Sequence, residues 1–176
     1  TYYLDCPGVP VLPTIKNDMI NAENFIKLKS ENIHLTISMT FPDLANPENI
    51  LQKIELLGKE YPNVFNWMGE VNLLKQALLN NFHEPATLED IINWKGFMKK
   101  LHDKNIPINI HSDLGNNEDN TKYLFLIEEV LNQYPKNKII WAHMGLSKEL
   151  SNMNPDEHLN IMSRLLNKYP NLMLDI

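Results

Sequence analysis

Three residues of this sequence have the types and positions to do chemistry together: Glu70, His111 and His143. Each closes an apolar run. The runs read FNWMGE at 65–70, PINIH at 107–111 and IIWAH at 139–143. Runs this apolar suit strands buried on both faces. In parallel α/β architectures ligands bind at the carboxyl ends of strands, so side chains far apart in sequence converge there. Two imidazoles and a carboxylate suit a borderline divalent cation, Zn²⁺ first, with Mn²⁺, Fe²⁺ or Ni²⁺ as alternatives. Such an ion lowers the pKa of a coordinated water and supplies hydroxide near neutral pH for attack on a carbonyl or phosphoryl centre. One histidine at a strand end is more often a hydrogen-bonded polar residue. Two of them, with a carboxylate on the neighbouring strand, are harder to read that way.

Other polar residues carry two readings each. His83, in the insertion NNFHEPA, either touches substrate from a loop or is a solvated loop residue. Asp113, two residues past His111, either orients a ligand or caps the next loop; both residues are candidates for substrate binding. Lys75 either faces an anionic group or is solvated. His34 opens a strand at the end away from the site. His102 and His158 fall inside predicted helices and read as outer-face or interface residues. Trp67, Trp94 and Trp141 read as core aromatics, with no stacking platform for nucleic acid. The single cysteine, Cys6, excludes an internal disulfide and has no base beside it.

The elements that must position these residues repeat. LLGKEYPNVFNWMGE, VLNQYPKNKIIWAH and LLNKYPNLMLDI each show a helix end, Tyr-Pro, an asparagine within two residues, then an apolar strand. FMKKLHDKNIPINIH is a looser copy. Proline cannot continue a helix and pushes the preceding residue out of helical conformation. Asparagine tolerates the turn conformations that follow. Predicted strands span 33–40, 65–70, 107–111, 139–143 and 172–176. Predicted helices lie between them, with a further helix near 19–31 and a strand or loop at 9–15. Thr87 and Asp90 have the spacing of a capping box with a shorter acid. Asn154 and Pro155 mark another helix start. His111 to His143 is 32 residues, and His143 to Asp175 is again 32. This is the period of a strand–helix unit with parallel neighbours.

Composition narrows the class. The chain has 176 residues, 43% hydrophobic and 22% charged, with a formal net charge of −6. That acidic balance argues against nucleic acid as the main partner. No apolar stretch of about 18 residues is present, so no membrane span is expected. With six glycines and no glycine-rich phosphate loop, an open nucleotide-binding sheet is disfavoured. A closed (β/α)8 barrel takes about 250 residues, so five strands would be its middle.

NWMGEVNLLKQA, INIHSD, IIWAHMG and YPNLMLDI, in this order and spacing, resemble consecutive strand-end motifs of the amidohydrolase superfamily, in particular its amidohydrolase-related members. The resemblance covers most of residues 33–176. It implies a metal-dependent (β/α)8 barrel, with Glu70 at the fourth-strand ligand place, His111 at the fifth and His143 at the sixth. Asp175 falls on the seventh strand and is not equated with that family's catalytic aspartate. The family's first-strand His-x-His does not occur in this sequence, and no eighth-strand segment follows Asp175.

The expectation is therefore an α/β chain, residues 1–176 as one domain, forming about strands 3–7 of a TIM barrel. The sequence opens on Thr1 and closes inside an apolar run, so a piece of something longer is expected. The implied activity is hydrolysis of an amide, ester or lactone bond of a small molecule, or a related decarboxylation, with the isolated chain nearly inactive. Two other classes stand beside it. One is a non-catalytic metal- or small-molecule-binding βα domain. The other is a structural fragment whose open strand edges pair with a second copy, giving a homo-oligomer. A cytoplasmic location is the default expectation.

Overall fold

The computed structural model describes residues 15–28, 32, 34–40, 44, 47–81 and 83–176. Apart from Ile15, the suggested element at 9–15 lies outside the described residues, as does Cys6. The chain is α/β. Helix α1 (Ile15–Lys27) precedes strand β1 (Ile37–Met39). A 3-10 turn at Pro47–Ile50 runs into α2 (Leu51–Glu60), followed by β2 (Phe65–Leu74). After a second 3-10 segment (Gln76–Asn81) come α3 (Leu88–Ile92), α4 (Lys95–Asp103), β3 (Ile108–Ser112), α5 (Leu124–Gln133) and β4 (Ile139–Trp141). A tight, non-helical turn (Ala142–Gly145), α6 (Pro155–Lys168) and β5 (Leu172–Leu174) complete the order.

The five strands form one all-parallel sheet in sequence order, β1-β2-β3-β4-β5. Among the described residues the winding never reverses, and the sheet shows no switch point of the doubly wound kind. Period-2 alternation divides each strand. Met68, Ile108, Ile139 and Leu172 share one register level and belong to the buried core with Ile110 and Trp141. Asn109, Ile140 and Met173 form the alternating row on the opposite face, where Met173 is 40% exposed.

The Tyr-Pro repeat folds as proline dictates. Tyr61, Tyr134 and Tyr169 each leave helical conformation, with φ between −129° and −121° and ψ between 56° and 93°. Each still donates its N–H back into the helix, to Leu57, Val130 and Leu165 respectively. Asn63 and Asn105 take positive φ. Asn137 and Asn171 instead tie neighbouring units together, donating to the Met98 carbonyl and to the Tyr134 and Asn137 carbonyls.

Several boundaries differ from the sequence-based expectation. The helix expected through 87–102 is two. Thr87 and Asp90 form the capping box of α3, but the chain turns at Asn93–Trp94. The Trp94 indole is fully buried there, stacked on Tyr134 and donating to the Leu44 carbonyl. β2 runs four residues past Glu70, and β4 stops two before His143. Among the described residues no helix is long and apolar enough to cross a membrane.

Candidate metal centre

Glu70 does not close its strand. It sits on a bulge within β2. Met68 pairs with Ile108 and Val71 with Ile110, so three steps on β2 face two on β3. A bulge of this kind re-aims a side chain. Gly69 makes it possible: its φ is +110°, and a Cβ there would lie 2.2 Å from the Asn109 carbonyl oxygen. Glu70 emerges facing the next strand, its Oε1 3.2 Å from Nδ1 of His111.

His143 is delivered differently. The chain leaves β4 at Trp141 and enters a left-handed turn, with φ of 54° at His143, 51° at Met144 and 72° at Gly145. The turn puts Nε2 of His143 3.3 Å from Oε2 of Glu70. The two imidazole rings stand 5.5 Å apart, edge to face. One donor atom from each of Glu70, His111 and His143 lies within 4.8 Å of the others. Asp175 is not among the converging donors; its backbone N–H bonds the Trp141 carbonyl.

Electrostatics tie the cluster together. The His111 side chain is 7% exposed and that of Asp113 is 1% exposed. His111 Nε2 lies 2.9 Å from Asp113 Oδ1. Burial pushes His111 toward the neutral form, but the Asp113 and Glu70 carboxylates outweigh it and hold its pKa above the ordinary value. The same imidazole, helped by the ammonium of Lys75 3.0 Å away, pulls Glu70 down to about 2 against its burial. Asp113 is also lowered: burial opposes ionisation, but His111 and both the backbone and side-chain N–H groups of Gln76 stabilise the anion.

The loop after β2 is pinned from inside. Lys75 N–H donates to Nε2 of His83, and Gln76 N–H donates to Oδ2 of Asp113. Burial of His83 lowers its pKa, consistent with a neutral ring accepting that bond. Gln76 also donates to the Gly115 carbonyl. His83 and Asp113 are thus both engaged in holding backbone or ring positions around the cluster. Lys75, read from sequence as solvated or anion-facing, is instead an ion-paired neighbour of Glu70. Gln76 escaped the sequence reading altogether, because nothing local marks a glutamine as the bridge between two loops.

The donor set could hold a divalent cation. His111 Nδ1 is buried and makes no aligned hydrogen bond, yet it faces a carboxylate oxygen. A nitrogen lone pair opposite a carboxylate needs positive charge between them. A proton supplies it in the metal-free chain, which is the sense of the raised His111 pKa; a metal ion is the alternative. Ligand atoms about 2.1 Å from a four-coordinate ion stand about 3.4 Å apart. Glu70 Oε1 to His111 Nδ1, 3.2 Å, and Glu70 Oε2 to His143 Nε2, 3.3 Å, are each close to that edge but use the two different carboxylate oxygens. With one atom taken from each residue the three lie within 4.8 Å of one another, so the side chains would draw in around an ion.

Comparison with protein-family models, with curated proteins and with solved structures gives no match for this chain.

Proposed function

We propose that Glu70, His111 and His143 hold one divalent cation, zinc foremost, in a hydrolase of the amidohydrolase type acting on an amide, ester or lactone bond of a small molecule. The observation that carries this reading is the convergence of one donor atom from each of Glu70, His111 and His143, with the buried Nδ1 of His111 3.2 Å from the Glu70 carboxylate and without a hydrogen bond of its own. Two imidazoles and one carboxylate give this chain three ligands of the kinds that catalytic zinc sites use, and leave the ion further positions for water or for ligands from elsewhere. When bound, the ion supplies Lewis acidity and an activated water.

The chain's own residues do the rest. Asp113 holds the His111 ring so that Nδ1 faces inward. The His111 imidazole and the Lys75 ammonium keep Glu70 ionised well below neutral pH. His83 and Gln76 fix the loop that carries Lys75. The unreversed strand order supports membership of a closed (β/α) barrel, with this chain as about strands 3–7. In that reading the His-x-His ligands and the aspartate that takes the proton belong to strands outside this sequence. The chain alone then binds metal but turns over little substrate.

The test is zinc stoichiometry on the folded chain beside His143→Ala and Glu70→Gln, matched for fold by circular dichroism. The reading expects zinc on the parent at a ratio of about one and its loss from both variants. A folded parent that takes up no zinc sinks it.

A further inference from the structure

We infer that His158, on α6, is a positioning residue for the metal site, its ring locking the left-handed turn that presents His143. The inference rests on the metal-site reading above, but it is argued from contacts that stand without it.

The starting point is an anomaly in the pattern of α6. The buried face of this helix reads His158, Met162, Leu165, at spacings of four and three. An amphipathic helix fills such a stripe with apolar residues, and Met162 and Leu165 conform. His158 does not, although it is only 9% exposed. A buried polar ring needs a partner, and here the partner is Nε2 to the Met144 carbonyl at 2.9 Å. A carbonyl only accepts, so Nε2 carries the proton.

The turn it grips needs holding. Three successive residues, His143, Met144 and Gly145, have positive φ. That region is unfavourable for the two that are not glycine and persists only where surroundings over-determine it. Backbone bonds supply part of the restraint: Leu146 N–H donates to the His143 carbonyl, and Leu114 N–H to that of Gly145. Packing supplies more, because Gly145 lies flat against the Trp141 indole, where a Cβ would come within 2.3 Å of a ring carbon. His158 adds, among the described residues, the one side-chain hydrogen bond to the turn. It grips Met144, the residue between the ligand and the glycine. The His143 side chain is 47% exposed, and its ring is held directly by Glu70 at 3.3 Å and edge to face by His111. The position from which it reaches them is set by the backbone that His158 restrains.

The experiment compares the chain with His158→Phe, which fills the site without a donor, and His158→Gln, whose amide N–H can reach a carbonyl. Two quantities are read: zinc affinity by chelator competition, and hydrogen exchange at the Leu146 amide, which reports the turn with no metal present. At unchanged circular dichroism, the phenylalanine variant should bind zinc about tenfold more weakly. Its Leu146 amide should exchange about tenfold faster. The glutamine variant should recover most of both losses. A phenylalanine variant that matches the parent in both overturns the inference. If the parent binds no zinc, the metal-site reading falls and the exchange rates alone decide the clamp. Should the phenylalanine variant not fold, nitrogen-15 spectra of the parent decide: a His158 ring with its proton on Nδ1 and a bare Nε2 refutes it.

Discussion

Asp113 Oδ1 stands 2.9 Å from Nε2 of His111 in a buried pair, and this contact determines which nitrogen of His111 looks toward Glu70. With Nε2 occupied, Nδ1 is the atom left to face the carboxylate at 3.2 Å. Asp113→Asn keeps the size of the side chain and removes its charge. The His111 pKa should then fall, because one of the two carboxylates that raise it is gone, and a proton-resolved titration of the ring checks this. Zinc affinity should drop by about tenfold, the usual cost of losing such a partner. An unchanged ring titration would mean that Glu70 alone sets the His111 charge.

Acid stability and metal affinity should run in different directions with pH. Glu70 is depressed to about 2 from an ordinary 4.5, so its contribution to stability is present above the ordinary value and is lost as pH falls toward 2. His111 is raised above its ordinary 6.5, so its contribution is present below that value and is lost as pH rises through the folded pKa. The metal-free chain should therefore gain most from this pair between 4.5 and 6.5. Zinc competes with the proton on His111 and should bind more tightly on the alkaline side. Denaturant titrations and zinc competition at about pH 5.5 and about pH 8 test both halves. Equal zinc affinity at the two values would remove His111 from the ligand set.

Lys75 sits where a metal ion makes it unwelcome. Its ammonium is 3.0 Å from Glu70 Oε1 in a pair only 22% and 30% exposed. A dication held by the same carboxylate repels it, although a flexible, partly solvated lysine can swing away and recover much of that cost. Lys75→Met should leave zinc bound about three- to tenfold more tightly, and the Glu70 pKa of the metal-free chain should rise. Weaker zinc binding would mean instead that Lys75 steers Glu70 into place.

What the sequence made legible follows how local each cause is. Tyr61, Tyr134 and Tyr169 leave their helices because a proline comes next, and Thr87 caps α3 through a residue three positions on. Such causes lie within a few residues of their effects. The trio Glu70, His111 and His143 was visible for a related reason, since each follows an apolar run that a parallel sheet must bury. Its exact presentation was not visible. Glu70 projects from a bulge that depends on the approach of Asn109 from β3. His143 projects from a turn braced by Leu114 and by His158, 15 residues along the chain. Lys75 reaches Glu70 because His83 and Asp113 seize the two backbone N–H groups of the loop. The break at Asn93–Trp94 likewise answers to Leu44 and Tyr134, far away in sequence. Long-range contacts of this kind leave no periodicity to read.

The same substitution at two glycines should have opposite effects. Gly58 lies on the exposed side of α2, and the nearest atom to an added Cβ is Lys104 Nζ at 4.0 Å. Alanine there removes the flexibility cost of glycine in a helix, so Gly58→Ala should stabilise the chain by about 0.5–1 kcal/mol. Gly69 has φ +110°, and its Cβ would meet Asn109 oxygen at 2.2 Å and Val71 nitrogen at 2.9 Å. Gly69→Ala must either spread β2 from β3 or straighten the bulge, and each route turns Glu70 away from His111. It should destabilise the chain by about 3 kcal/mol or more. In whatever fraction remains folded, the acid-side signature of Glu70 and zinc uptake should both be lost. Paired denaturant curves and zinc titrations of the two variants make the comparison. A Gly69→Ala chain that folds as well as Gly58→Ala and still takes up zinc would show that the bulge does not place Glu70.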